Sequence, residues 1–124
     1  MITKLHTMIV SQSLSWQRIL SENLKKYLFI DVGDVVNGCL SAASRIKKDY
    51  PDLLVTDCTV SADDILALIN HVRSVNTKTR IMIIADTNQQ KREFRHSGAD
   101  FVVSSFSCAS EIQVVLNGLI ESTM

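Results

Sequence analysis

The sequence predicts an α/β domain: a parallel sheet with helices packed on both faces. Three observations carry that expectation. Short apolar runs alternate five times with segments of helical periodicity, the pattern of strand–helix–strand units with right-handed crossovers. The run Asp52-Leu53-Leu54-Val55-Thr56-Asp57 lies between Pro51 and an acid and is too short for a helix, which suits a strand buried on both faces. No linker, repeat or shift in composition divides the 124 residues, so one domain over residues 1–124, with a single core, is expected.

Leu5 to Val10 reads as the first strand, followed by the polar turn Ser11-Gln12-Ser13. A helix is expected from about Ser15 to Lys26, with Trp16, Ile19, Leu20 and Leu24 on one face. Tyr27 to Val36 contains the second strand, with Phe29, Ile30 and Val32 as its apolar residues, and Asn37-Gly38 is a turn signal. The second helix is expected to turn Leu40, Ala43 and Ile46 inward and Arg45, Lys47 and Lys48 outward. Tyr50-Pro51 ends it, because a residue before proline disfavours the helical region.

Past the central strand, Ser61 is a candidate cap, with Asp63 and Asp64 favouring the positive end of the helix dipole. Ile65, Leu68, Ile69 and Val72 form an i, i+3, i+4, i+7 stripe. Arg80 to Ala85 is the fourth strand. The helix from about Gln89 to His96 is polar, with Phe94 its lone apolar anchor, and Gly98 can supply a positive-φ stop. Phe101-Val102-Val103 is the fifth strand. Ser107 opens the last helix, striped by Ile112, Val115, Leu116, Leu119 and Ile120.

Thirteen basic and thirteen acidic residues give zero formal net charge, so no global field favours nucleic acid or an anionic membrane. Cys39, Cys58 and Cys108 are far apart and form no CxxC, which suits reduced thiols and a cytoplasmic setting. His6, His71 and His96 show no metal-ligand spacing. No GxSxG, P-loop or GxGxxG is present, so neither nucleophilic catalysis nor nucleotide chemistry is indicated and no enzyme is expected. A strand-end acid such as Asp57 emerges at the carboxyl edge of a parallel sheet, where open α/β folds place their sites.

In this order along the chain, three segments resemble a known family. Val32-Gly33-Asp34-Val35-Val36-Asn37-Gly38 resembles the VGEAxNG segment of receivers in NarL-type transcription factors. Pro51 to Asp57 resembles their PDVVLLD, and Gly98-Ala99-Asp100 resembles their GAD. The chain is similar over its whole length to a response-regulator receiver domain. That resemblance implies the flavodoxin-like (CheY-like) fold, a five-stranded parallel sheet of order 2-1-3-4-5. It also implies bacterial two-component signal transduction, with Asp57 at the phosphoacceptor position and a sensor kinase as one partner.

The same resemblance shows what is missing. The family holds Mg²⁺ with an acid pair after the first strand, because a hard cation takes anionic oxygens; those places fall on Ser11 and Gln12. The hydroxyl place at the end of the fourth strand falls on Ala85. The lysine that pairs with phosphate falls on Ser105, with Phe106 where a proline is usual. The switch aromatic of the fifth strand falls on Val102. The resemblance therefore implies a degenerate receiver that acts as a regulatory or protein-interaction module, such as the regulatory half of a transcriptional regulator, and needs no cofactor. Phe101, Val102 and Phe106 are the interface candidates, for a protein partner or self-association through the fourth helix, fifth strand and fifth helix. No membrane contact is expected, and no nucleic-acid contact by this domain itself. The alternative is a working phosphoacceptor switch that uses Asp57 in a rearranged pocket with Mg²⁺. A third reading is a small-ligand binder at the carboxyl ends of the strands.

Overall fold

A computed structural model describes residues 4–46, 50–57, 59–75 and 78–123. Cys58, Lys47 and Lys48 lie outside these residues, as does the side chain of Ile120. In chain order the elements are β1 (Leu5–Val10), α1 (Leu14–Lys25), β2 (Ile30–Val36), α2 (Cys39–Ile46), β3 (Leu53–Asp57), α3 (Ala62–Val75), β4 (Arg80–Ala85), α4 (Asn88–His96), β5 (Phe101–Ser104) and α5 (Cys108–Thr123). A 3₁₀ turn over Ser105–Ser107 joins β5 to α5. The strands form one sheet of order β2-β1-β3-β4-β5, and every neighbouring pair is parallel.

Side chains alternate across the sheet and so divide the core in two. On one face Met8, Val10, Leu54, Ile81 and Ile83 pack with residues of α2, α3 and α4. On the other, Ile9, Leu53, Val55, Met82 and Ile84 pack with residues of α1 and α5. All of β3 is buried, as its unbroken apolar run requires of a strand covered on both sides. Each large aliphatic side chain buried this way stabilises the fold by roughly 1.5–3 kcal/mol. No described helix is long and apolar enough to cross a membrane.

The α3 stripe Ile65, Leu68, Ile69 and Val72 is buried as its spacing requires. Two other helix faces differ from expectation. In α2 the inward residues are Ala42 and Ile46, whereas Leu40 is 89% exposed. An eight-residue helix with several small apolar residues offers two stripes of equal quality, and the packing with α3 selects the one that includes Ala42. In α1, Leu20 and Leu24 are buried while Ile19 lies at the edge of that face, 41% exposed.

Local chemistry fixes the ends. Ser13 caps α1 by accepting a hydrogen bond from the Trp16 amide at 3.2 Å. Ser61 does the same for the Asp64 amide at 3.2 Å. Thr87 and Gln90 form a reciprocal capping box on α4, which explains how so polar a helix, anchored by Phe94, starts cleanly. Gly98 ends the turn after α4 with φ 104°, a conformation that suits glycine. At the β1–β2 pair the register slips between Thr7 and Met8 and leaves Gly33 unpaired. The His6 ring covers that glycine, and a Cβ there would lie 2.3 Å from His6 Cε1.

Candidate functional site: a carboxylate held by hydroxyls

Asp57 ends β3 at the carboxyl edge of the sheet and is 2% exposed. Burial of a carboxylate demands hydrogen-bond donors, and two loops supply them. The Ser11 hydroxyl, in the turn between β1 and α1, donates to Asp57 Oδ2 at 2.8 Å. The Thr59 hydroxyl, just past β3, donates to Oδ1 at 2.5 Å, and the Thr59 amide donates to the same oxygen at 3.3 Å. Each hydroxyl is in turn oriented by a backbone N–H. The Ser13 amide donates to Ser11 Oγ at 3.2 Å, and the Gln12 amide donates to Thr59 Oγ1 at 3.0 Å. The two hydroxyl oxygens lie 3.2 Å apart. The result is a neutral clasp that ties the β1–α1 turn to the β3–α3 turn around one negative charge.

The remaining sequence candidates occupy distinct places. Asp57 pairs in register with Ile84 of β4, so Ala85 lies one step further on, buried and opposite Ser104. Ser105 follows as the first residue of the 3₁₀ turn. Gln12 reaches the clasp by its amide alone, and its exposed side chain lines a groove between α2 and α3. Among the described residues no lysine or arginine pairs with Asp57, and no group of three or more His, Cys, Asp or Glu could hold a metal ion. As a donor set, one carboxylate already bonded on both oxygens, with two neutral hydroxyls, does not fit Mg²⁺.

The interface candidates separate. Val102 is 8% exposed and belongs to the core with α2, α3 and α4, so it offers no surface to a partner; on a strand covered by helices, an alternating apolar residue goes inward. Phe101 is half-buried against the α1/α5 cluster. Phe106, in the 3₁₀ turn, is 89% exposed.

Two participants were missed at the level of sequence. Thr59 is one; an acid that accepts the amide two residues on is a familiar turn signal, and Asp57-x-Thr59 carried it. Glu111 is the other. It accepts hydrogen bonds from the Ser104 amide at 3.0 Å and from the Ser107 hydroxyl, and it lies 3.7 Å from Lys91 Nζ. Burial opposes its charged form, but the Ser107 and Ser104 hydrogen bonds and the Lys91 charge outweigh this and hold its carboxyl below the usual range. Nearby, burial pushes the Cys108 thiol up to about 11, with Glu111 and Asp57 adding to the effect, so it stays protonated and unreactive near neutral pH.

No protein-family model matches the chain, and no curated protein matches it. Solved structures do. The receiver domain of the response regulator NarL from Mycobacterium tuberculosis is similar at 20% identity, over 93% of this chain and 95% of that one, with a TM-score of 0.79. The Francisella response regulator 1452 receiver domain is similar at 20% identity, over 98% and 100%, with a TM-score of 0.80. The fold is that of a response-regulator receiver. A third similar structure, the isolated receiver domain of RcsB from Salmonella enterica serovar Typhimurium with the phosphomimetic BeF3⁻, has 13% identity over 96% and 90% of the chains and a TM-score of 0.85. Within that receiver fold, Asp57 stands at the carboxyl end of the central strand.

Proposed function

We propose that this chain is an atypical receiver module of two-component signalling that works through protein contacts, with no enzymatic activity of its own and without efficient phosphotransfer to Asp57. One observation carries the reading. Both oxygens of Asp57 are engaged by Ser11 and Thr59, and among the described residues no cation pairs with it and no group of three or more His, Cys, Asp or Glu could hold a metal ion. A phosphoryl group on Asp57 would displace at least one of these hydroxyls and bring close to two negative charges to the sheet edge. Ala85 has no hydroxyl with which to meet it, and Ser105 has no charge to offset it.

Contact would be made on the β5–α5 side. Phe106 and Val114 are 89% and 72% exposed. Phe101, Val115 and Leu119 line an apolar groove of about 480 Å³ on the same edge of the sheet. An apolar groove with exposed Val114 on its lining is a candidate association site. Among the similar structures, RcsB is seen as dimers bound to DNA, which supports self-association as the first arrangement to examine. With zero net charge, this domain is not assigned a nucleic-acid contact.

The decisive experiment is incubation with acetyl phosphate and Mg²⁺, read by intact-protein mass. Unmodified protein is the expected result. Stoichiometric phosphorylation mapped to Asp57 would overturn the reading in favour of a working switch with a rearranged pocket. For the association surface, sedimentation of wild type and Phe106→Ser with Val114→Ser is the test. A dimer that dissociates in the double variant is expected, and a wild type monomeric at every accessible concentration counts against it.

A further inference from the structure

Phe106 owes its place to a short piece of backbone. Ser104 to Ser107 run between two buried anchors, Val103 and Cys108, and both anchors belong to the core with α1 and α5. The 3₁₀ turn between them carries no side-chain cap at Ser104. Short 3₁₀ runs have poorer hydrogen-bond geometry than an α-helix and hold weakly by themselves. Yet Phe106, in the middle of this turn, is almost fully exposed. Burial of apolar area is favourable, so solvent does not draw the ring out. The backbone of the turn sets its direction.

Glu111, in the first turn of α5, braces that backbone. Its Oε2 accepts a hydrogen bond from the Ser104 amide at 3.0 Å, where the chain enters the turn, and another from the Ser107 hydroxyl, where it leaves. Both ends of the turn therefore meet on one oxygen. The other oxygen, Oε1, lies 3.7 Å from Lys91 Nζ of α4, so the same carboxylate also faces a neighbouring helix. Hydrogen bonds to a charged acceptor are the strong ones. The Lys91 pair is long and both side chains are partly exposed, so it adds little. The two hydrogen bonds carry the brace.

We infer that Glu111 is the positioning residue of the association surface: it locks the turn over Ser104–Ser107 and so presents Phe106 to a second copy of the chain. The inference rests on the self-association reading above. Without the brace, Ser105 and Phe106 must be ordered at the moment of contact, and ordering a free segment subtracts from affinity. A carboxamide at position 111 keeps an oxygen for both donors and loses only the charge. Glu111→Gln therefore retains the brace, and Glu111→Ala does not.

Two measurements on the full chain test this. Heteronuclear amide NOE values at Ser105 and Phe106, taken where the chain is dilute enough to be monomeric, report order of the turn on the ps–ns scale. Sedimentation gives the dimer dissociation constant. In wild type and Glu111→Gln the NOE values at Ser105 and Phe106 should match those of α5, and in Glu111→Ala they should drop. The dissociation constant should rise about tenfold or more in Glu111→Ala and stay within about threefold of wild type in Glu111→Gln. Ser107→Ala, at an exposed position, removes one of the two bonds and covers the case of a Glu111→Ala chain that does not fold. It should show the same loss of order and of affinity in smaller measure. The inference is overturned by an ordered turn in Glu111→Ala, by an unchanged dissociation constant once the turn is released, or by Glu111→Gln as weak as Glu111→Ala, which would assign the effect to the charge facing Lys91. A wild type monomeric at every accessible concentration overturns the association reading itself, and does so before any variant is compared.

Discussion

Removal of the Ser11 hydroxyl isolates what the clasp does for the fold. In Ser11→Ala, Asp57 Oδ2 loses its 2.8 Å donor and the Ser13 amide loses its side-chain acceptor. Hydrogen bonds to charged groups are worth about 1.5–3 kcal/mol, and a buried group left without its partner also bears its desolvation cost. Asp57 is 2% exposed, so water screens little of this. A loss of about 2–3 kcal/mol is the expected result, or roughly 8–12 °C in Tm for a domain of this size. In an Asp57→Ala background the same change removes only the weaker contacts with Ser13 and Thr59, and its cost should fall to about 1 kcal/mol. The double-mutant cycle therefore predicts a coupling of about 1–2 kcal/mol between Ser11 and Asp57. Urea unfolding measures it, provided that the m-value stays constant across the four proteins. A coupling below about 0.5 kcal/mol would refute the argument, since the carboxylate would then be stabilised by solvent or by other groups.

Three further outcomes follow from single contacts. Thr56 is 1% exposed and its hydroxyl has no hydrogen-bond partner, so Thr56→Val should raise stability by about 1 kcal/mol in urea unfolding; a loss would show that the hydroxyl is bonded in solution. Gly33→Ala should cost about 1–3 kcal/mol by overpacking against the His6 ring, and His6→Ala should relieve most of that cost in the double variant. Glu111 titrates lower in the folded chain than in the unfolded one, so its contribution is present above its ordinary value of 4.5 and is lost as pH falls through the lower folded value. Stability curves of wild type and Glu111→Gln should therefore converge on acidification below about 4.5, and parallel curves would show that Glu111 carries no such linkage.

Much of the architecture was legible because each strand and each long helix met its own local rule. β3 is a run of residues that can be buried on both faces, and α3 repeats its apolar stripe over two turns. The shorter elements were harder. The eight residues of α2 hold too few apolar side chains to fix a face, so the inward position fell to Ala42 while Leu40 was left outside. Strand order did not follow from periodicity at all, since every permutation of five buried strands satisfies the same pattern. It came from the resemblance of three short segments to receivers, which the sheet bears out.

The site divides along the same line. The position of Asp57 was visible in the sequence, because a strand-end acid in a parallel sheet has one place to go. For Ser11, Gln12, Ala85 and Ser105 the resemblance to receivers supplied only an expectation, that each stands where the family carries a metal- or phosphate-binding group. The donors around Asp57 were not visible, because they depend on two loops brought together by parallel pairing of β1 with β3: Val10 lies opposite Thr56, so Ser11 and Asp57 leave the sheet side by side. Forty-six residues of sequence separate the Ser11 donor from its acceptor. Once the register is known, the chemistry is constrained. A buried carboxylate without a cation needs several neutral donors, and hydroxyls that are themselves held by backbone amides supply them with little further loss of side-chain entropy. Thr59 fits that requirement better than a lysine would in the absence of phosphate, because an ammonium group beside a lone buried carboxylate must also be desolvated, at a cost of several kcal/mol.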